Sequence, residues 1–121
     1  TLERGQYYRW LCFAIHFEYA VMDKWQNVPT SAERRKAIGY GDFDTALNTL
    51  RQILNSRDYL LGNAFSALDL YLTSLLNWSA RVVGVLPDDA VFTRSMARTT
   101  DREAFHRAAA LDNELLAAIN T

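Results

Sequence analysis

The chain has 121 residues, half of them hydrophobic and 22% charged, with thirteen Lys and Arg against fourteen Asp and Glu for a net charge of −1. That length suits one domain with its own core, so residues 1–121 are expected to form a single unit, and the lack of basic excess argues against nucleic acid as a partner. No apolar run approaches the roughly 18–20 residues of a membrane span, which argues against a membrane, and the lone Cys12 excludes an internal disulfide, so a cytoplasmic location is expected.

Residues from about Glu3 to Gln26 spell one long helix. Tyr7, Leu11, Ala14 or Ile15, Glu18, Val21 or Met22 and Trp25 recur at three and four and mark one inward stripe. Trp10, Phe13, Phe17 and Ala20 make a second stripe at the same spacing, leaving little of the helix for water. Seven aromatic residues lie between Tyr7 and Trp25. That exceeds what one small helical domain needs, and the surplus is expected to line a pocket or an interface. The chain opens on Thr1-Leu2-Glu3-Arg4, with neither a Met nor a targeting pattern, as a fragment or processed product would.

Asn27 to Thr30 is a connector containing Pro29, and Thr30 or Ser31 can cap a charged helical turn through Lys36. Gly39-Tyr40-Gly41 interrupts it, either as a break or as a kink. Asp42 can then cap a second strong helix, in which Phe43, Ala46 or Leu47, Leu50 and Ile53 or Leu54 repeat inward to about Ser56. The third helix is expected from Ala67 to about Val83, ending near Gly84, with Leu68, Leu72, Leu75 or Leu76, Ser79 and Val82 inward. Pro87 with Asp88 and Asp89 opens a short fourth helix through Ala97, Thr100 or Asp101 can cap a fifth through about Ala109, and Leu111 to Ile119 supplies a last turn or two. No segment alternates as a strand does. The expected fold is all-α, a bundle of about five to six helices.

Patterns that could carry chemistry are few. Cys12 and His16 stand at the spacing of a helical two-ligand half-site, but no second half-site or orienting group accompanies them, so a packed cysteine and a helix-surface or pocket-lining histidine are expected. Gly39-Tyr40-Gly41-Asp42-Phe43-Asp44 has Asp44 where a dinucleotide fingerprint needs its third glycine, and no strand precedes it. Asn77-Trp78-Ser79 matches a glycosylation sequon inside an apolar helix and is attributed to chance. Neither a catalytic constellation nor a metal site can be assembled.

The most informative stretch is Phe65-Ser66-Ala67-Leu68-Asp69-Leu70, which spells a capping box: Ser66 can accept from the N–H of Asp69 and the Asp69 carboxylate from the N–H of Ser66, with Phe65 and Leu70 as a hydrophobic staple. Set in Tyr-Leu-Leu-Gly-x-x-Phe-Ser-x-x-Asp from Tyr59 to Asp69, it resembles the signature of the helical C-terminal domain of the glutathione transferase superfamily, bacterial type. The first helix, with Arg4, Trp10, Phe13, Glu18 and Ala20, resembles the opening helix of that domain, and Ile38 to Asp44 resembles a phrase of one bacterial branch. Arg102-Glu103-Ala104-Phe105-His106-Arg107-Ala108 is similar to the family's Arg-Pro-Ala-aromatic-Gln-Arg-Ala segment, with Glu103 for the proline and His106 for the glutamine.

The resemblance implies the second half of a two-domain subunit, whose thioredoxin-like first half would bind glutathione as co-substrate and activate its thiol. No thiol-activating residue or cofactor site is carried onto this chain, which would be inactive alone. What carries over is the first helix as a wall for a hydrophobic electrophile, with Tyr8, Cys12, Ile15 and His16 as the substrate-binding candidates, Ser66 and Asp69 as the structural cap, and a homodimer as the expected assembly. The alternatives are a glutathione-dependent isomerase, dehalogenase or peroxidase of the same superfamily, a non-catalytic protein-interaction module of the same fold, and a free-standing helical protein dimerising through its aromatic face.

Overall fold

The computed structural model describes residues 1–120. Among them are six α-helices and no strand: α1 (Leu2–Trp25), α2 (Ala32–Ala37), α3 (Phe43–Ser56), α4 (Ala67–Trp78), α5 (Ala90–Thr100) and α6 (Glu103–Ile119), with one π-helical turn at Ser79–Val83 directly after α4. Four of them, α1, α3, α4 and α5, pack on one another around the core, whereas α6 packs on α5 alone. Phe17, Leu50, Leu60, Leu72, Leu76 and Phe92 are almost completely buried in that core.

Caps decide where several helices begin. Thr1 Oγ1 accepts from Arg4 N–H at 3.3 Å, Ser31 Oγ from Arg34 N–H at 3.0 Å and Asp42 Oδ1 from Thr45 N–H at 2.7 Å. Each satisfies an amide that has no partner within its helix. Asp89 does the same for α5 through Val91 N–H at 2.9 Å, and its other oxygen receives Arg51 Nε of α3 at 2.7 Å, so one carboxylate both starts α5 and ties it to α3.

The α1 core stripe is Trp10, Ala14, Phe17, Ala20 and Val21, which joins Trp10, Phe17 and Ala20 of the expected second stripe to Ala14 and Val21 of the first, while Phe13 is only partly buried. Tyr7 and Leu11 are only partly buried and Trp25 is exposed, because α1 is covered by α3 and α4 from one side only. The Gly39–Gly41 interruption is a true break between α2 and α3, with Gly41 in the left-handed region at φ 73°. In α3 the inward set is the expected one.

Two later expectations change. The third helix leaves the α-helical register at Ser79, whose buried Oγ donates to Leu75 O at 2.6 Å. The wider π turn rotates its residues relative to the α-helical register, so Val82 is 75% exposed and Val83 packs on the core in its place. Gly84 then ends the turn at φ 76°, a conformation that favours glycine. At the other end, α6 runs unbroken to Ile119, because Ala108-Ala109-Ala110 offers strong helix formers where a join between two short helices was expected.

Candidate functional site

The outer face of α1 is the mirror of its core stripe. Trp10, Ala14, Phe17 and Val21 step by four, three and four along the buried side. Tyr8, Cys12, Ile15 and Tyr19 take the same steps two residues out of phase, which is about 200° around the helix. All four are exposed, Tyr8 at 52% and Tyr19 at 57%. The candidates Tyr8, Cys12 and Ile15 thus share one line, and Tyr19 extends it by a turn. His16 is exposed at the edge of this line, its ring 6.3 Å from that of Tyr40. Near the helix start, Arg4 stands over the Tyr8 ring at 5.9 Å and Tyr7 meets Tyr8 edge-on at 6.0 Å, which fixes the approach to the face.

Chemically this face is an aromatic and aliphatic strip carrying one thiol. Among the described residues no hydrogen bond joins Cys12 to His16, and no group of three His, Cys, Asp or Glu side chains could hold a metal ion. It can supply apolar contact and aromatic edges to a ligand. It holds no assembled nucleophile and base.

A polar knot closes the C-terminal end of α1. Asp23 Oδ2 accepts from Tyr40 OH at 2.6 Å and from Arg34 Nη2 at 2.8 Å, so α1, α2 and the glycine break meet on one carboxylate. Burial pushes the Asp23 carboxyl upward, but the hydrogen bonds from Tyr40 and Arg34 outweigh it and hold the group below the usual carboxylate value. Burial, then the bond to Asp23, raises the Tyr40 hydroxyl. Alongside, the Thr45 side chain and amide, with Arg35 at 3.0 Å, hold Asp42 low as well. Asp23, Asp42 and Phe43 line a polar cleft of about 320 Å³. Sequence reasoning treated Asp42 only as a cap and missed the knot. The one legible signal was Tyr40 between two glycines, a side chain on a turn tight enough to bring it back to α1.

The capping box at the start of α4 is present. Asp69 Oδ2 accepts from Ser66 N–H at 2.9 Å and from Ser66 Oγ at 3.0 Å, while Asp69 N–H reaches the Ser66 carbonyl at 3.1 Å. Its other oxygen, Oδ1, accepts from the buried Leu60 N–H at 2.8 Å, a bond that the spacing did not disclose. Asp69 therefore ties α4 to the Tyr59–Gly62 turn, which closes on itself through paired backbone bonds of 3.0 and 2.9 Å. Phe65 meets Tyr59 edge-on at 5.7 Å and lies under Arg102 at 3.9 Å, whereas Leu70, its expected staple partner, is exposed.

No protein-family model, no curated protein and no solved structure matches the chain.

Proposed function

We propose that this chain is the helical half of a cytoplasmic glutathione transferase, and that the outer face of α1 walls the site where a hydrophobic electrophile meets the glutathione thiolate. The observation that carries the reading is that one side of α1 is core, while the line through Tyr8, Cys12, Ile15 and Tyr19 is largely aromatic and aliphatic and yet exposed. A second domain laid against that line would enclose an apolar slot, the usual character of a small-molecule site. The Tyr59 to Asp69 turn and cap support the same reading, since they give the motif behind the resemblance a definite structural task. Thiol activation and most of the glutathione contacts fall to the thioredoxin-like partner domain, and the native assembly is a homodimer.

A non-catalytic interaction module is the second reading, favoured by the same uncovered aromatic line. Passing native polypeptide from its source cells over immobilised glutathione separates the two. The transferase reading expects retention, elution by free glutathione, and a subunit larger than this chain by about 80–100 residues, one thioredoxin-sized domain. A native subunit of 13.8 kDa that glutathione does not retain would transfer the case to the interaction module.

A further inference from the structure

Helix α6 is 17 residues long and, among the described residues, has no buried residue and rests on α5 alone. Five of its apolar side chains nevertheless fall on one line, with Phe105 and Leu116 to one side of it. Ala104, Ala108, Leu111 and Leu115 succeed one another at four, three and four, with Leu111 61% and Leu115 63% exposed, and Ile119 extends the line. This is the seam spacing of a helix that packs against another helix, about 25 Å long, with alanines that permit close approach. A helix of this length gains most of its stability from burying such a face.

The charges beside the seam indicate its occupant. Arg107 and Glu114 flank the same edge of the seam, four residues before Leu111 and three after it. When two copies of one helix pair antiparallel about Leu111, equal edges face each other. Arg107 of each copy then meets Glu114 of the other. Within the helix Glu103 and Arg107 stand in the first half and Asp112 and Glu114 in the second, so the two Arg107–Glu114 pairs carry the complementarity, and the helix dipoles oppose. The Arg107–Glu103 pair within α6, at 2.5 Å, is largely exposed, so exchanging it for an intermolecular pair costs little.

We infer that α6 is a self-association element, pairing antiparallel with α6 of a second copy of this chain and crossing it at Leu111. This surface is separate from the α1 face and does not rest on the transferase reading. It is tested by sedimentation equilibrium of the full chain at about 10–100 μM, where a dimer is expected. Leu111→Asp should weaken it about tenfold or more. Arg107→Glu and Glu114→Arg should each weaken it, and the double swap should restore it, because the edge pair is then merely reversed. In a Cys12→Ser background, Leu111→Cys should cross-link on oxidation and Leu115→Cys should not, since antiparallel helices hold the two copies of residue 115 apart. A monomer throughout this range, a dimer indifferent to Leu111→Asp, or cross-linking through residue 115 would each overturn the inference. Circular dichroism confirming that Leu111→Asp stays folded keeps a loss of dimer from being mistaken for unfolding.

Discussion

Asp69 is the residue on which the most structure converges, because one buried carboxylate serves the amides of Leu60 and Ser66 together with the Ser66 hydroxyl. Removing it leaves the Leu60 N–H buried without an acceptor, and an unmet buried group costs more than a made bond returns. Asp69→Ala is expected to lower stability by about 3 kcal/mol, well beyond the ~1 kcal/mol of an ordinary cap. Ser66→Ala, which keeps the backbone bond to Asp69, should lose about 1 kcal/mol or less. Urea denaturation of the two variants reads the difference, and equal midpoints would contradict it. Gly62 is the complementary case. A Cβ there meets no atom within 4 Å, yet its φ of 117° is one that other residues rarely adopt. Gly62→Ala should therefore cost about 1–3 kcal/mol through backbone strain, while Gly39→Ala, with open space and no such φ, should stay within about 0.5 kcal/mol.

Among the helices, three carboxylates make ties between elements, and two of them also start a helix. Asp42 begins α3 and meets Arg35 of α2, Asp23 joins α1 to Arg34 and Tyr40, and Asp89 begins α5 and meets Arg51 of α3. All three are held below the usual carboxylate value, Asp89 chiefly by its bond from Arg51. In the unfolded chain they return to about 3.9, so the unfolded state takes up protons first as the pH falls. Their contribution is fully present above about pH 5 and is lost as acid reaches the lower folded values. The urea midpoint should hold between about pH 5 and 7 and fall steadily toward pH 3, and Asp23→Asn with Asp42→Asn should flatten that limb. A midpoint independent of pH in that range would contradict this role. Elements of this kind were largely legible in the sequence. The α3 stripe from Phe43 to Leu54 and the caps at Asp42 and Ser66 are local facts, written within four residues of one another. Less legible were features fixed by distant partners. Which side of α1 turned inward, a strip that takes residues from both expected stripes, depended on where α3 and α4 lie, and the Leu60 bond to Asp69 spans nine residues. The π turn at Ser79 looked like one more helical turn, because its residues have ordinary helical character.

Across the described residues, apolar side chains stay exposed along the α1 line from Tyr8 to Tyr19 and along the α6 seam around Leu111. They lie on different helices that do not pack on each other, so they can serve different partners. The site candidates Tyr8, Cys12 and Ile15 could be placed together from spacing alone, but their exposure could not, since the same spacing would equally suit a buried stripe. Whether the α1 line walls an electrophile site is decided by the conjugation of glutathione to an aryl halide by the native polypeptide, compared with an Ile15→Ala variant of the same protein. Turnover by the wild type is expected, with an increase of about threefold to tenfold in the KM for the aryl halide in the variant, as when one apolar side chain is cut back in a binding pocket, and the KM for glutathione unchanged. Absence of conjugation by the wild type, or an aryl halide KM that Ile15→Ala leaves unmoved, would contradict it.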